Sequence, residues 1–356
     1  MKLSVIVVNY KTPELVKELL LRLFEFSVIS QIILVDNSQD LQKINDKTTK
    51  SLRLISNSAN IGFGRAVNQA TNYVETDWFL VINPDVRFQE NDLNQLLSAA
   101  VKYQSPLAGP RFYWDDQRQF RLPPATGNSL WQNMARQCAA AYPLDARLLS
   151  FYWQLRHDRF WQASEPFYEP FLSGACLLVN SHWLASTGGQ LFDDRFFLYF
   201  EDTDLCARAC LAGQVPLCVP GAEFIHYYNQ SPATDHEKLE MISASESLFL
   251  NKYYDKLPVL DLIQTRDDQG WEDLGSVEQS PTFTFSDKSE TDPRGSEFFF
   301  EISTNPFFYP FAQAEFKGNK MVLPYHIWQQ LPPAAYYARL RSPQLSTGKR
   351  WKWIKS

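Results

Sequence analysis

The sequence predicts an α/β fold: a parallel sheet covered by helices, a helical and aromatic insertion over residues 113–168, and a small β-rich module at the carboxyl end. Three observations lead there. Short apolar runs alternate with helical periodicity from Leu3 to Arg111. Those runs are almost continuously apolar, as strands buried on both faces are, rather than alternating. After Leu257 the composition turns polar and acidic before short aromatic strands resume. The division is therefore residues 1–256 as the main domain and 257–356 as linker and accessory module.

The first strand is Leu3 to Val8, followed by a helix from Pro13 to Phe26, with Pro13 suited to a first turn and Thr12 as its cap. Gln31 to Val35 and Leu52 to Ile55 read as strands, Gly62 to Tyr73 as a helix, Trp78 to Ile82 as a strand. Asn91 to Lys102 is helical and Pro106 to Arg111 extended. Between Phe112 and Pro170 the pattern loosens into a helical stretch near Ser129 to Arg159, rich in Trp131, Tyr152, Trp153, Phe160 and Trp161 among Arg136, Arg147, Arg156 and Arg159. It reads as a packed insertion or as a surface meeting a lipid head group or acceptor. Order returns with Phe171 to Val179 (strand), Asp204 to Ala212 (helix), Val215 to Val219 (strand) and Asp235 to Tyr254 (helix). Phe298 to Ile302, Phe307 to Phe316 and Met321 to Leu323 are the strands of the module, punctuated by Pro306, Pro310, Gly318 and Pro324.

Thirty-four basic against 40 acidic residues give a net charge of −6, which excludes a globally basic nucleic-acid binder. The five cysteines show no metal-finger spacing and read as free thiols of a reducing compartment. The opening apolar run stops at Asn9, too short for a leader peptide, and no run approaches the roughly 18 residues of a membrane span. A cytoplasmic protein is expected, with peripheral contact at the inner face of the membrane left open. Aromatic residues make up 15% of the chain, and their faces stack on sugar C–H surfaces as readily as they fill cores.

In sheets of this type ligands gather at the carboxyl ends of the strands. Polar residues follow three of them: Asn9-Tyr10, Asp36-Asn37-Ser38 and Asn83-Pro84-Asp85. Each alone is an ordinary turn; in succession they suggest one shared site. The stretch Asn60 to Asn68 holds Gly62, Gly64 and Arg65 at a helix start, where free N–H groups and the dipole favour a phosphate, yet it lacks the dinucleotide fingerprint. Phe200-Glu201-Asp202-Thr203-Asp204 concentrates three carboxylates where a helix needs one cap. His226 follows a later strand and, with Asp85, forms a possible oxygen and nitrogen pair for Mg²⁺ or Mn²⁺.

Taken in order, Ser4 to Tyr10, Val35 to Ser38, Asn60 to Asn68, Asn83 to Asp85, Phe171 to Cys176 and Tyr199 to Arg208 resemble the family 2 glycosyltransferases of GT-A fold, and among them the rhamnosyltransferase-like branch. The resemblance covers residues 1 to 255. It implies that Asn9, Asp36, Asn37, Asn60, Gly62, Arg65, Asn68 and Asn83 bind the nucleotide sugar, and that Asp85 binds metal and diphosphate, with Asn83 replacing the first acid of the D-x-D motif. It further implies that Asp202 is the general base, that Glu201 orients Asp202 or the acceptor, that Ser173, Gly174 and Asp204 serve acceptor or orientation, and that His226 adds a metal ligand. The implied activity is an inverting, metal-assisted transfer from a nucleotide sugar such as dTDP-rhamnose to a glycan or lipid-linked acceptor. A carbohydrate-binding protein without catalysis is the alternative. The module is expected to position acceptor or partner without joining the chemical step, so that a chain ended near Leu257 keeps donor hydrolysis. Residues 349–356, with four positive charges and two tryptophans, read as a loose tail or as a contact with an anionic membrane.

Overall fold

The computed structural model describes residues 1–41, 50–127, 132, 135, 143–227, 234–254, 271–284, 298–306, 308, 310–316, 320–341 and 349–356. The chain begins β1 (Leu3–Asn9), α1 (Pro13–Glu25), β2 (Ile29–Asp36), β3 (Ser51–Ser56), α2 (Phe63–Thr71), β4 (Trp78–Ile82), β5 (Val86–Arg87), α3 (Glu90–Lys102) and β6 (Leu107–Tyr113). It continues with β7 (Phe120–Arg121), α4 (Pro143–Gln162), β8 (Phe167–Tyr168), β9 (Cys176–Asn180), α5 (Ser181–Ser186), α6 (Glu201–Leu211), β10 (Leu217–His226) and α7 (Asp235–Tyr254). The module holds β11 (Glu272–Val277), β12 (Thr282–Thr284), β13 (Phe298–Ser303), β14 (Ala312–Phe316), β15 (Lys320–Val322), α8 (Tyr325–Gln330), β16 (Ala335–Arg341) and β17 (Arg350–Lys355).

The α/β expectation holds, with one correction. β1 pairs in parallel with β2 and β4, β2 with β3, and β6 with β10, but β9 lies antiparallel between β4 and β6. A strand buried on both faces is apolar throughout whichever way it runs, so its direction leaves no trace in composition. Two apolar layers sandwich this sheet. On one face α1 buries Val16, Leu19, Leu20 and Leu23 at helical spacing and packs with α3; on the other, Ala66, Val67 and Ala70 of α2 meet Leu205, Cys206 and Ala209 of α6.

Several boundaries move. Thr12 makes no side-chain cap on α1; the Asn9 carboxamide oxygen accepts the Thr12 N–H at 3.1 Å instead. The strand expected from Phe171 begins at Cys176; the residues before it form a loop whose Gly174 N–H is taken by the Asp202 carboxylate instead of a neighbouring strand. α6 starts at Glu201, and β10 runs on to His226. Of the helical insertion, the described part is α4; Trp131 and Arg136 lie outside the described residues, as do Cys138, Tyr228, Phe307 and the stretch 255–270 containing the proposed linker. The four described cysteines form no disulfide, and no described helix is long and apolar enough to cross a membrane.

The carboxyl-terminal module is β-rich as expected, but it is not a separate body. β14 pairs with β7, joining the module to the main sheet, and Trp114 and Phe120 sit in one apolar cluster with Phe283, Phe300, Ile327, Tyr336, Trp351 and Trp353. The loose-tail and membrane readings of residues 349–356 are therefore both corrected. β17 pairs with β16 and β11, and Trp351 and Trp353 are each 1% exposed. Their alternation with Lys352 is the inside-outside pattern of a strand. A chain ended near Leu257, expected to keep donor hydrolysis, would leave Trp114 and Phe120 of this shared core bare. Phe120→Ala, though in the first half of the chain, should cost about 3–5 kcal/mol, read as a lowered denaturant midpoint. A loss below about 1 kcal/mol would show that the module and the main sheet are independently stable.

Candidate active site

The carboxyl ends of β1, β2 and β4 lie side by side, and hydrogen bonds tie the polar residues of the first two together. Asn9, fully buried, donates from Nδ2 to Asp36 Oδ1 (2.9 Å), Ser38 Oγ (3.0 Å) and Asp40 Oδ1 (2.6 Å). Asp36 also accepts the N–H groups of Ser38, Gln39 and Leu41. Burial opposes its charge, but these bonds, led by Asn9, hold its carboxyl below the ordinary value. Asn37 Nδ2 donates to Asn60 Oδ1 (3.2 Å) and to the Gly62 carbonyl (3.3 Å), while Asn60 Oδ1 accepts the Gly62 N–H (3.0 Å). Asn9, Asp36, Asn37 and Asn60 thus form one wall whose side-chain atoms are mostly spent on each other.

The start of α2 differs from its expectation. Gly62 has φ +89°, and a Cβ there would lie 2.5 Å from the Phe197 carbonyl oxygen, so only glycine fits. The Phe63 N–H, first in the helix, donates to that same carbonyl at 2.9 Å rather than standing open to an anion. Arg65 Nε donates to the Asp194 carbonyl (2.9 Å), and Asn68 Nδ2 to the Phe192 carbonyl (2.7 Å) and Asp194 Oδ1 (2.8 Å). The helix end clamps residues 192–197, and Arg65 makes this contact through Nε while its side chain stays exposed.

What is clamped leads into the acidic cluster. Tyr199 and Phe200 both adopt left-handed conformations, φ +69° and +66°, each costing on the order of 1–3 kcal/mol. Phe200 packs on Phe196 and Phe249, and Ser245 Oγ of α7 holds the Leu198 carbonyl at 2.8 Å. This bend delivers Glu201 and Asp202 at the first turn of α6. Asp202 Oδ2 accepts the Gly174 N–H (2.8 Å), Oδ1 the Thr203 N–H (2.7 Å). Burial nevertheless raises the Asp202 carboxyl above its ordinary value. Glu201 is 6% exposed, its Oε2 has no hydrogen-bond partner among the described residues, and burial together with the charge of Asp202 pushes it up to about 8. Asp204, by contrast, points away. It accepts Arg208 Nε (2.8 Å), Tyr253 OH (2.8 Å) and Lys252 Nζ, which fastens α6 to α7, so its acceptor role is corrected to a structural one.

The remaining pair also meets. β5 runs antiparallel to the end of β10, with His226 opposite Val86, and His226 Nε2 lies 3.4 Å from Asp85 Oδ2. Burial opposes ionisation of Asp85, but His226 foremost, then Arg87, brings it below the ordinary value. Among the described residues no third His, Cys, Asp or Glu joins them. One ionised carboxylate and one imidazole suit a hard or borderline divalent cation whose other positions are filled by ligand and water. The 173–175 loop connects the two halves: the Asn83 N–H donates to the Ala175 carbonyl (2.9 Å), one residue from the Gly174 amide that holds Asp202, while Ser173 Oγ accepts the Ala175 N–H.

A family profile described as glycosyl transferase family 2 matches residues 4–175. Those residues are a family 2 glycosyltransferase domain. Among curated relatives, the N-acetylglucosaminyl-diphospho-decaprenol L-rhamnosyltransferase of Mycobacterium tuberculosis is 28% identical over 197 residues, 52% of this chain and 62% of the relative. Rhamnosyltransferase WbbL of Escherichia coli is 27% identical over 235 residues, 63% of this chain and 82% of the relative. This chain thus spans less than two thirds of the mycobacterial relative. The crystal structure of GalNAc-T7 with UDP, GalNAc and Mn²⁺ shares the GT-A fold: TM-score 0.50 at 11% identity, covering 72% of this chain and 48% of that one.

Sequence reasoning about the glycosyltransferase domain missed its supports. Tyr199 and Phe200 are unremarkable letters, and Lys252 reads as one surface charge of α7, yet its Nζ also reaches Asp193 Oδ2 at 2.8 Å. Trp114 Nε1 donates to the Tyr227 carbonyl (3.3 Å), beside His226, and to Gln330 Oε1 of α8 (2.7 Å), so the module touches the site. A Glu201 carboxyl raised in the fold makes the folded state hold a proton that the unfolded chain releases, so stability falls as pH rises from about 4.5 to about 8. Glu201→Gln should remove that slope. Melting temperatures of wild type and variant should diverge in favour of the variant across this interval; parallel curves would show that Glu201 is ionised in the fold.

Proposed function

We propose that the protein transfers a sugar, rhamnose in the first instance, from a nucleoside diphosphate donor to a hydroxyl of a glycan or lipid-linked acceptor, with inversion at the anomeric carbon. The observation that carries the reading is the division of the carboxylates. Asp85, paired with His226, is held ionised, whereas Asp202, tied to the other side of the 173–175 loop, is made more basic by burial. Groups whose environments push their proton affinities apart serve different steps of one reaction. The names of the rhamnosyltransferase relatives support the choice of sugar.

In this reading Asp85 and His226 hold Mg²⁺ or Mn²⁺ at the donor's diphosphate. When bound, the cation neutralises the charge that grows as the diphosphate departs. Asp202 takes the proton of the attacking hydroxyl; the Gly174 and Thr203 N–H groups orient its carboxylate while leaving it lone pairs to spare. No enzyme nucleophile is needed, and a single displacement inverts the anomeric centre. Glu201, largely protonated at neutral pH, lets Asp202 carry the charge without a second anion beside it. The wall from Asn9 to Asn60 shapes the nucleotide end, with Asn83 closing the donor side.

Asp202→Asn keeps the shape and removes the base, so transfer should fall by about 10²-fold or more with donor binding retained. Near-normal turnover would take Asp202 out of the mechanism. Asp85→Ala should abolish the dependence of nucleoside diphosphate affinity on added Mn²⁺, and His226→Ala should weaken it in the same direction. Wild-type affinity indifferent to Mn²⁺, measured calorimetrically, would remove the metal from the proposal.

A further inference from the structure

We propose that one face of α4 docks on an anionic lipid bilayer. Leu148, Phe151, Tyr152 and Leu155 are each more than half exposed, at 58, 57, 54 and 53%. Their spacing is i, i+3, i+4, i+7, which gathers them into one continuous stripe. The opposite side of the same helix is already occupied: Trp153 and His157 are fully buried, Phe160 and Trp161 nearly so, against Phe308, Phe311 and Tyr113. α4 is thus apolar on both sides with only one side covered, and a stripe of four large side chains exceeds the scattered apolar exposure normal on a surface.

The occupant follows from charge. Arg159 is exposed and lies one turn beyond Leu155 on the stripe, while the exposed Arg147 flanks it beside Phe151. Neither has a carboxylate partner among the described residues. Among the nearby acids whose side chains are described, Asp158 is paired with Arg341 at 2.9 Å and Glu169 with Arg156, while Glu165 lies past the end of the helix. Leucine and aromatic side chains bordered by uncompensated arginines suit the boundary between head groups and acyl chains, where rings and methyls sink and guanidinium groups reach phosphate. A second copy of the chain would meet the same two positive charges with its own. Basic residues near an anionic surface add attraction that salt screens, so docking should be reversible. The two tryptophans of β17, which would otherwise serve this role, are in the core.

Co-sedimentation of the full chain with vesicles of equimolar phosphatidylcholine and phosphatidylglycerol tests this. Wild type should sediment at low salt and be released as salt rises, and should ignore pure phosphatidylcholine. Phe151→Ser with Leu155→Ser should lower the partition coefficient at least tenfold, and Arg147→Gln with Arg159→Gln should lower it and flatten its salt dependence. Leu239→Ser, an equally exposed site on α7, should change nothing, and melting temperatures should confirm that each variant folds. The proposal is overturned if wild type ignores anionic vesicles, if binding survives both double substitutions, or if the wild type is a dimer in solution that Phe151→Ser with Leu155→Ser turns into a monomer.

Discussion

The hydrogen bond from the Gly174 amide to the Asp202 carboxylate is the contact through which the two halves of the site depend on each other. Glycine at 174 leaves room for it: a Cβ there would lie 3.0 Å from Asp202 Cβ and 3.1 Å from Oδ2, so the carboxylate would have to shift by a few tenths of an ångström. On one side of it the 173–175 loop is sewn to Asn83 at the end of β4. On the other stands a helix whose first turn is presented by two consecutive left-handed residues. Local strain of that kind persists only when surrounding structure over-determines it. Here the determinants are countable: the Arg65 and Asn68 clamp from α2, the Phe197 carbonyl on the Phe63 amide, and the Ser245 and Phe249 contacts from α7.

Rigid support also explains why so many polar groups near the site bind one another. Asn9 spends its carboxamide on Asp36, Ser38, Asp40 and Thr12, and Asp36 accepts from backbone amides of its own loop. A strand end that must hold a loop in one shape satisfies its donors internally and leaves the ligand to the loop's surface. Asp85 and Glu201 are different, since each is buried with capacity left over: one beside an imidazole, the other with an oxygen that has no hydrogen-bond partner among the described residues.

The fold was largely legible because apolar runs and helical spacing reflect burial directly. Trp78–Ile82 and Asp235–Tyr254 lie where the pattern puts them. Strand direction was not legible, since β9 is as apolar as its parallel neighbours. Polar clusters at strand ends fall beside one another as expected, and the ordered motifs marked the family. Their internal division was hidden: Asp202 and Asp204 are two letters apart, yet one faces the 173–175 loop and the other is locked to Arg208, Lys252 and Tyr253. A helix turns roughly 100° per residue, so neighbours of identical chemistry face opposite partners. The tail misled for a related reason. Alternating Trp and Lys describes an interfacial segment and a half-buried strand equally well, and only β16 decides between them.

Because β7 pairs with β14, Arg121 must find Glu315, 194 positions further along the chain. At synthesis rates of roughly 5–20 residues per second that partner emerges about 10–40 s later. Throughout that interval Trp114 and Phe120 belong to a half-built protein with nothing to cover them. Non-local pairing of this sort slows folding and leaves sticky surface in view of other nascent chains. Exposure of this surface during synthesis is therefore written into the strand order, and late emergence of the module sets when the nascent chain can first cover it.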